Sequence, residues 1–396
     1  MDGQRILLNP GHTGGSWRIN GKVLLRDNRK LSQAEFKRAQ RICHAVKELV
    51  INRDAYVRQN RIDPSFCYPD ANWSPTRNDY LATFNRVIEA DYDVINSLRL
   101  FTQFFSGYSL RHAARSEGLP SFEEISPDLD SKMEKMKRET DEWLTRWTSI
   151  VSNVPYDYIF SPPRFLGEIG WDVAGIVVNH DTYVYQERIN LLYDSGILGW
   201  LNDRVSAQGR LRILEIGAGY GALALKIKSL FPACEYWICD LPECLLFSAL
   251  YLCLNRPDCR TGIAERAPYG FVYMPNYMID KIQGEFDLVI NTLSFSEMSE
   301  HQLRSYAAKI KDLIRQGFLF EQNKDNRHLG FLCAQEILVE YFKFHKGVVT
   351  TTVPQLTEGN PNLWATTRIN LSPVQGAESG WWKRFVTQRK LKISCR

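Results

Sequence analysis

At 396 residues, 44% of them hydrophobic and 12% aromatic, the chain can fill two domains, or one domain with a large extension, at roughly 100–200 residues apiece. Its 49 basic and 45 acidic residues leave a net charge of only +4, which argues against a protein that lives on nucleic acid. No run approaches the ~18 apolar residues of a membrane-spanning helix. The start, MDGQRILLNPGH, lacks the charged-then-apolar pattern of a secretion signal. Nine cysteines without a Cys-x-x-Cys pair fit reduced thiols, so a cytoplasmic location is expected.

Residues 1–30 read as loop, with Asn9-Pro10-Gly11-His12-Thr13-Gly14-Gly15-Ser16 glycine-rich but missing the Lys-Ser/Thr ending of a phosphate loop. Residues 32–53 predict an amphipathic helix through Ala39, Ile42, Cys43, Val46 and Leu49, opened by a Ser32/Glu35 capping box. Pro64, Pro69 and Pro75 make 60–78 a connection. Further helices are expected over 79–108 and 127–151, the second strongly charged and read as a solvated face. The region 1–155 is therefore expected to be a mostly helical cap, ahead of a domain over 156–380 and a basic tail over 381–396.

Residues 175–178 predict a short strand, and Asn179-His180-Asp181-Thr182 a turn feeding a helix over 183–193, capped by Asp181 or Thr182. His180 beside an acid suits either a general base or a surface turn. Arg188 suits either a ligand carboxylate or a helix-surface salt bridge.

The densest signal is RILEIGAGYGALALKIKSLFPACEYWICDL, residues 212–241. An apolar strand interrupted by Glu215 meets three glycines (Gly217, Gly219, Gly221), then a helix closed by Pro232 and a second strand ending at Asp240. Glycines permit a sharp turn and a close ligand, and ligands of doubly wound sheets cross the carboxyl ends of the strands. Asp240 can accept both hydroxyls of a ribose. Gly217, Gly219 and Ala222 also satisfy the dinucleotide fingerprint, but a pyrophosphate needs a helix end free of negative charge, whereas Glu215 suits a sulfonium with an ammonium group. Tyr220 is read either as a cation–π partner of the sulfonium or as a packed turn tyrosine.

Beyond Asp240, alternation predicts a mainly parallel sheet: helix 241–254, strand 271–274, apolar strand 286–293, helix 299–314 and strand 317–321 ending in Gln322 and Asn323. Helix 333–342 and strands 348–353 and 363–371 follow. Trp381 and Trp382 with the acid-free basic tail suit either single-stranded nucleic acid or an exposed terminus.

With its acidic residue followed by Gly-x-Gly-x-Gly, the chain resembles class I S-adenosylmethionine (SAM)-dependent methyltransferases. Over about 160–370 it looks like the sugar O-methyltransferase family, through VNHDTYVYQERINLLYDSGIL, LEIGAGYGALA, CDLP and NTLSFSEMSEHQLRSY. The resemblance implies an α/β, doubly wound, Rossmann-like sheet. It also implies SAM at Glu215, Gly217, Gly219 and Asp240 with Leu241 beside it, and Asn291 lining the same crevice. The reaction expected is in-line transfer to a hydroxyl of a sugar, glycan or related small molecule, with Glu297 as first candidate base and His180 as second. Related enzymes often carry a histidine where this chain reads Ser296-Glu297, and Glu297 also suits a helix-start carboxylate. No ligand-like cluster points to a metal. An RNA methyltransferase using the basic tail and a silent SAM-binding adaptor are the alternatives.

Overall fold

Two sheets organise the chain, one built from local strand–helix alternation and one assembled from segments far apart in sequence. The computed structural model describes residues 16–19, 22–27, 29–68, 79–102, 140–152, 154–323, 325–327, 330–344 and 366–369.

The smaller sheet pairs β1 (Ser16–Ile19), β2 (Lys22–Arg26), β3 (Ile169–Val173) and β4 (Ile176–Val178) antiparallel, in that order. Residues expected to be loop are thus partly strand: β1 and β2 form a local antiparallel hairpin, and β2 pairs with β3, far away in the sequence. Ala174 (φ 52°) and Gly175 (φ 87°) form the two-residue turn of the β3–β4 hairpin; two positive φ angles match the twist of the flanking strands. The loop 9–15 lies outside the described residues.

Helix α1 (Gln33–Asn60) has the expected capping box and runs farther than predicted, to a left-handed cap at Arg61. After α2 (Pro64–Cys67), the helix predicted over 79–108 is instead three pieces: α3 (Asp79–Ile88), α4 (Tyr92–Asn96) and α5 (Leu98–Thr102). The break falls at Ala90, φ 58°, where the Asp91 carboxylate caps the next turn. Helix α6 (Thr140–Val151) is the last part of the predicted 127–151, whose first part lies outside the described residues.

Helices α7 (His180–Asp194) and α8 (Ile197–Gln208) lead into the large sheet. The cap of α7 is Asn179, not Asp181 or Thr182: its side chain accepts the Thr182 N–H at 2.9 Å. The sheet contains β5 (Leu211–Ile216), β6 (Cys234–Asp240), β7 (Thr261–Ile263), β8 (Phe271–Pro275), β9 (Leu288–Thr292), β10 (Phe318–Asn323) and β11 (Thr366–Ile369). Its crossovers include α9 (Ala222–Leu230), α10 (Pro242–Asn255) and α11 (Glu300–Leu313), with α12 (Ala334–Leu338) after β10. Helix α12 is shorter than the predicted 333–342; the strand predicted over 348–353 and the tail 381–396 lie outside the described residues.

The order is β11-β10-β9-β5-β6-β8-β7, with β11 antiparallel and every other pairing parallel. This is the expected doubly wound, mainly parallel Rossmann-like sheet with a helical amino-terminal region. From β5 the chain passes to β6, on to the edge strand β7 and back to β8, then crosses to β9 on the other side of β5. That reversal opens a crevice at the carboxyl ends of β5 and β9. One face of the sheet packs α7 to α10, and the other packs α11 and α12. Helix α10 is buried along nearly its whole length because α1 covers it, and the buried Arg53–Glu243 pair (2.8 Å) fastens the two.

Candidate cofactor site

The glycine turn is shaped by what surrounds it. Gly217, at φ 73°, leaves β5 so close to the β9 loop that a Cβ there would lie 2.3 Å from Ser294 Oγ. Its N–H donates to the Cys239 carbonyl at 3.0 Å, tying the turn to the tip of β6. Gly219 and Gly221 follow with positive φ. Between them Tyr220 is wholly buried: the Arg99 guanidinium lies 3.7 Å from its ring centroid, and Tyr185 and Tyr251 meet it edge-on at 5.6 and 5.0 Å.

Two carboxyl groups flank the turn. Glu215 is buried on the α7 side of β5 and accepts the Tyr236 hydroxyl at 2.8 Å. Burial pushes it up to about 8, against the pull of that hydrogen bond and of Arg188. Asp240 stays partly exposed at the tip of β6 and accepts the Leu241 N–H at 2.8 Å. Desolvation raises it to about 7, opposed by the Leu241 and Ala218 N–H groups and reinforced by Glu243. Leu241 is the residue that caps α10, directly ahead of Pro242.

The β9 and β10 tips complete the crevice. Asn291 Nδ2 donates to the Ile216 carbonyl at 2.9 Å and to Ser294 Oγ at 2.5 Å, while its Oδ1 accepts from Asn323 Nδ2 at 2.9 Å. Leu293 is held at φ 67°, its N–H donating to the Gln322 carbonyl at 2.7 Å. Strain of this kind persists where neighbours over-determine the backbone, here directly beside the glycine turn. Arg188, buried on α7, lies over the Tyr185 ring and donates from Nε to Gln322 Oε1 at 3.2 Å. Gln322 Nε2 is buried with no partner among the described residues. A guanidinium, a carboxyl group and a spare amide N–H therefore meet where α7 crosses β5 and β10.

Glu297 ends a single 3-10 turn, Phe295–Glu297, on the loop after β9. Burial first, then Asp240, Glu243 and Glu297, raise the Cys244 thiol, which puts these carboxylates in one neighbourhood. His180 is the first residue of α7; its side chain lies outside the described residues. Among the described residues no group of His, Cys, Asp and Glu side chains gathers as a metal-binding set.

Sequence reasoning did not assign Gln322, Tyr236 or Ser294 to the site. Gln322 carried a signal, a polar residue ending an apolar strand; Tyr236, inside an apolar strand, carried none. Arg99 gave no sign of reaching this region, because its partners are scattered over the sequence.

No protein-family profile matches the chain. No curated protein matches it at a significant level. Among solved structures, the N-methyltransferase NodS of Bradyrhizobium japonicum with S-adenosyl-L-homocysteine is similar at 14% identity and a TM-score of 0.33, covering 58% of this chain and 98% of its own. The ribosomal protein L11 methylase of Lactobacillus delbrueckii subsp. bulgaricus is similar at 16% identity and a TM-score of 0.29, covering 44% and 76%. The PH0226 protein of Pyrococcus horikoshii is similar at 12% identity and a TM-score of 0.32, covering 47% and 90%.

Proposed function

We propose that this chain is a class I SAM-dependent methyltransferase that methylates a hydroxyl of a sugar, glycan or related small molecule. The observation that carries the reading is the pair of carboxyl groups, Glu215 and Asp240, on either side of a glycine turn, both raised by burial, with the Arg188 charge felt at Glu215. Such a site gains most from a ligand that brings positive charge and a ribose diol; a pyrophosphate would bring more negative charge to it.

Bound SAM supplies an electrophilic methyl group on a sulfonium. Asp240 accepts the ribose hydroxyls, and Glu215 offsets the positive charge of the amino-acid end. Arg188 and the unpartnered Gln322 amide suit its carboxylate. Asn291 and Ser294 hold the backbone of the turn in place, through the Ile216 carbonyl and the close approach to Gly217. Tyr220, its ring occupied by Arg99, serves as the packed member of the turn. Glu297 takes the proton of the acceptor hydroxyl as its oxygen bonds to the methyl carbon and the carbon–sulfur bond breaks, with His180 as the second candidate. Positioning of the two reactants lowers the barrier by several kcal/mol.

Calorimetry tests the cofactor: SAM or S-adenosylhomocysteine should bind the pure protein and NAD should not, and the reverse result ends the proposal. A screen of labelled SAM against nucleotide sugars, free glycans and small hydroxylated metabolites tests the acceptor. Transfer to RNA that falls steeply with salt would reassign it. With an acceptor in hand, Glu297→Gln should lower turnover with little change in SAM affinity, and unchanged turnover would move the base to His180.

A further inference from the structure

Arg99 is fully buried, yet it touches neither Glu215 nor Asp240. Its Nε and Nη2 donate to Glu168 at 2.6 and 3.3 Å, Nη2 to Asp181 at 2.7 Å and Nη1 to Thr102 at 3.0 Å. Glu168 also accepts Asn179 Nδ2 at 2.8 Å, and the Arg99 N–H donates to the Leu166 carbonyl at 2.9 Å. One guanidinium therefore gathers α5, the loop before β3 and the first turn of α7. Its flat face is left for Tyr220, 3.7 Å from the ring centroid.

Burying one cation with two carboxylates is an expensive way to fill a core, and apolar side chains of the same volume would hold the helices together at least as well. What apolar residues cannot supply is a fixed plane aimed at one ring. The Tyr220 hydroxyl has no partner among the described residues, so the ring, rather than the oxygen, is what they grip. Tyr185 and Tyr251 close two sides at interplanar angles of 90° and 88°, and Arg99 closes the face. Glycines on both sides give the turn no stiffness of its own.

We propose that Arg99 is a positioning residue: through the Tyr220 ring, the helical amino-terminal region holds the turn 217–221 in its ligand-ready conformation. The ligand part of this inference rests on the methyltransferase reading above; the turn-holding part does not. Lysine at 99 keeps the charge between Glu168 and Asp181 but has no plane to lay on the ring.

Amide hydrogen exchange and calorimetry with S-adenosylhomocysteine on the full chain test the proposal. In Arg99→Lys, the amides of residues 217–223 should exchange at least tenfold faster while those of α11 keep their wild-type protection. Affinity for S-adenosylhomocysteine should fall five- to tenfold. Tyr220→Phe, which keeps the ring, should retain the protection of the turn, and Tyr220→Leu should lose it. Should Arg99→Lys fail to fold, Tyr220→Leu carries the test, since it leaves the ion pairs of Arg99 intact. Wild-type exchange at 217–223 in a folded Arg99→Lys or Tyr220→Leu protein overturns the proposal. Wild-type protein that binds no S-adenosylhomocysteine sinks the methyltransferase reading instead, and the exchange result still judges Arg99.

Discussion

Glu168 and Glu215 are both shut away from solvent and both raised by that burial, but only Glu168 has a guanidinium in direct contact. Glu168 has the Arg99 guanidinium in direct contact, with Asn179 beside it, so its charge is met inside the fold. Glu215 has a tyrosine hydroxyl and an arginine that turns its Nε to Gln322 instead. Asp240 repeats the pattern of Glu215 at the neighbouring strand tip. A buried acid with its counter-ion in place belongs to the scaffold; one left short of positive charge marks where a ligand supplies it.

The sharpest way to break this comparison is to remove a charge on each side. Arg99→Met removes the guanidinium that the buried Glu168 and Asp181 carboxylates share and should cost about 3–5 kcal/mol of unfolding free energy in a denaturant titration. Glu215→Gln should cost little, because the native carboxyl group is already largely protonated at neutral pH. Equal losses for the two variants would erase the distinction. Next in size is Asp240→Ala. Losing charge-assisted hydrogen bonds to a ribose diol should weaken SAM binding by about 3 kcal/mol, roughly 100-fold in Kd by calorimetry, and abolish methyl transfer.

The pH response is smaller and more diagnostic. The Glu215 carboxyl group stands at about 8 in the fold against an ordinary 4.5, so its contribution to stability is complete below about 4.5 and lost as pH climbs through about 8. Melting curves of the ligand-free protein should fall across that window, and those of Glu215→Gln should fall less. A cationic ligand favours the ionised form, so binding near pH 7 should release protons, seen as a buffer-dependent enthalpy. Affinity should rise by up to about tenfold per pH unit between 6.5 and 8. A flat affinity profile in the wild type would argue that Glu215 faces no positive charge in the complex.

How much of this could be read from residues 1–396 alone depended on sequence distance. Glu215, the three glycines and Asp240 lie within one strand–turn–helix–strand unit, so their convergence follows from local geometry and the rule for parallel sheets. Asn291, one strand over, was implied by the family resemblance alone. The Arg99 cluster was illegible because its members come from four separate segments and nothing beside Arg99 or Glu168 announces the contact. Strands β1 and β2 hid in a segment read as loop because their hairpin is completed by β3, which is distant in the sequence. The division of 79–102 was equally silent, since the left-handed residue at its break is an alanine, with neither Gly nor Pro to announce it.

The mildest test separates ligand from scaffold at one atom. Gln322 Oε1 has the Arg188 Nε as a partner at 3.2 Å, while Nε2 is buried with none among the described residues. An unmet buried donor costs about 1–3 kcal/mol, and proteins keep such a group where something else comes to meet it. Gln322→Leu removes that unmet donor together with the acceptor of one long hydrogen bond. The two changes oppose each other, so stability should stay within about 1 kcal/mol of wild type. If the amide meets the carboxylate of SAM, affinity should still drop about five- to tenfold, the loss of one such hydrogen bond. Adenosine, which carries no carboxylate, should bind wild type and variant alike. Equal weakening of both ligands would place Gln322 in the scaffold with Glu168; weakening of SAM alone would place it with Glu215, among the groups whose partner arrives from solution.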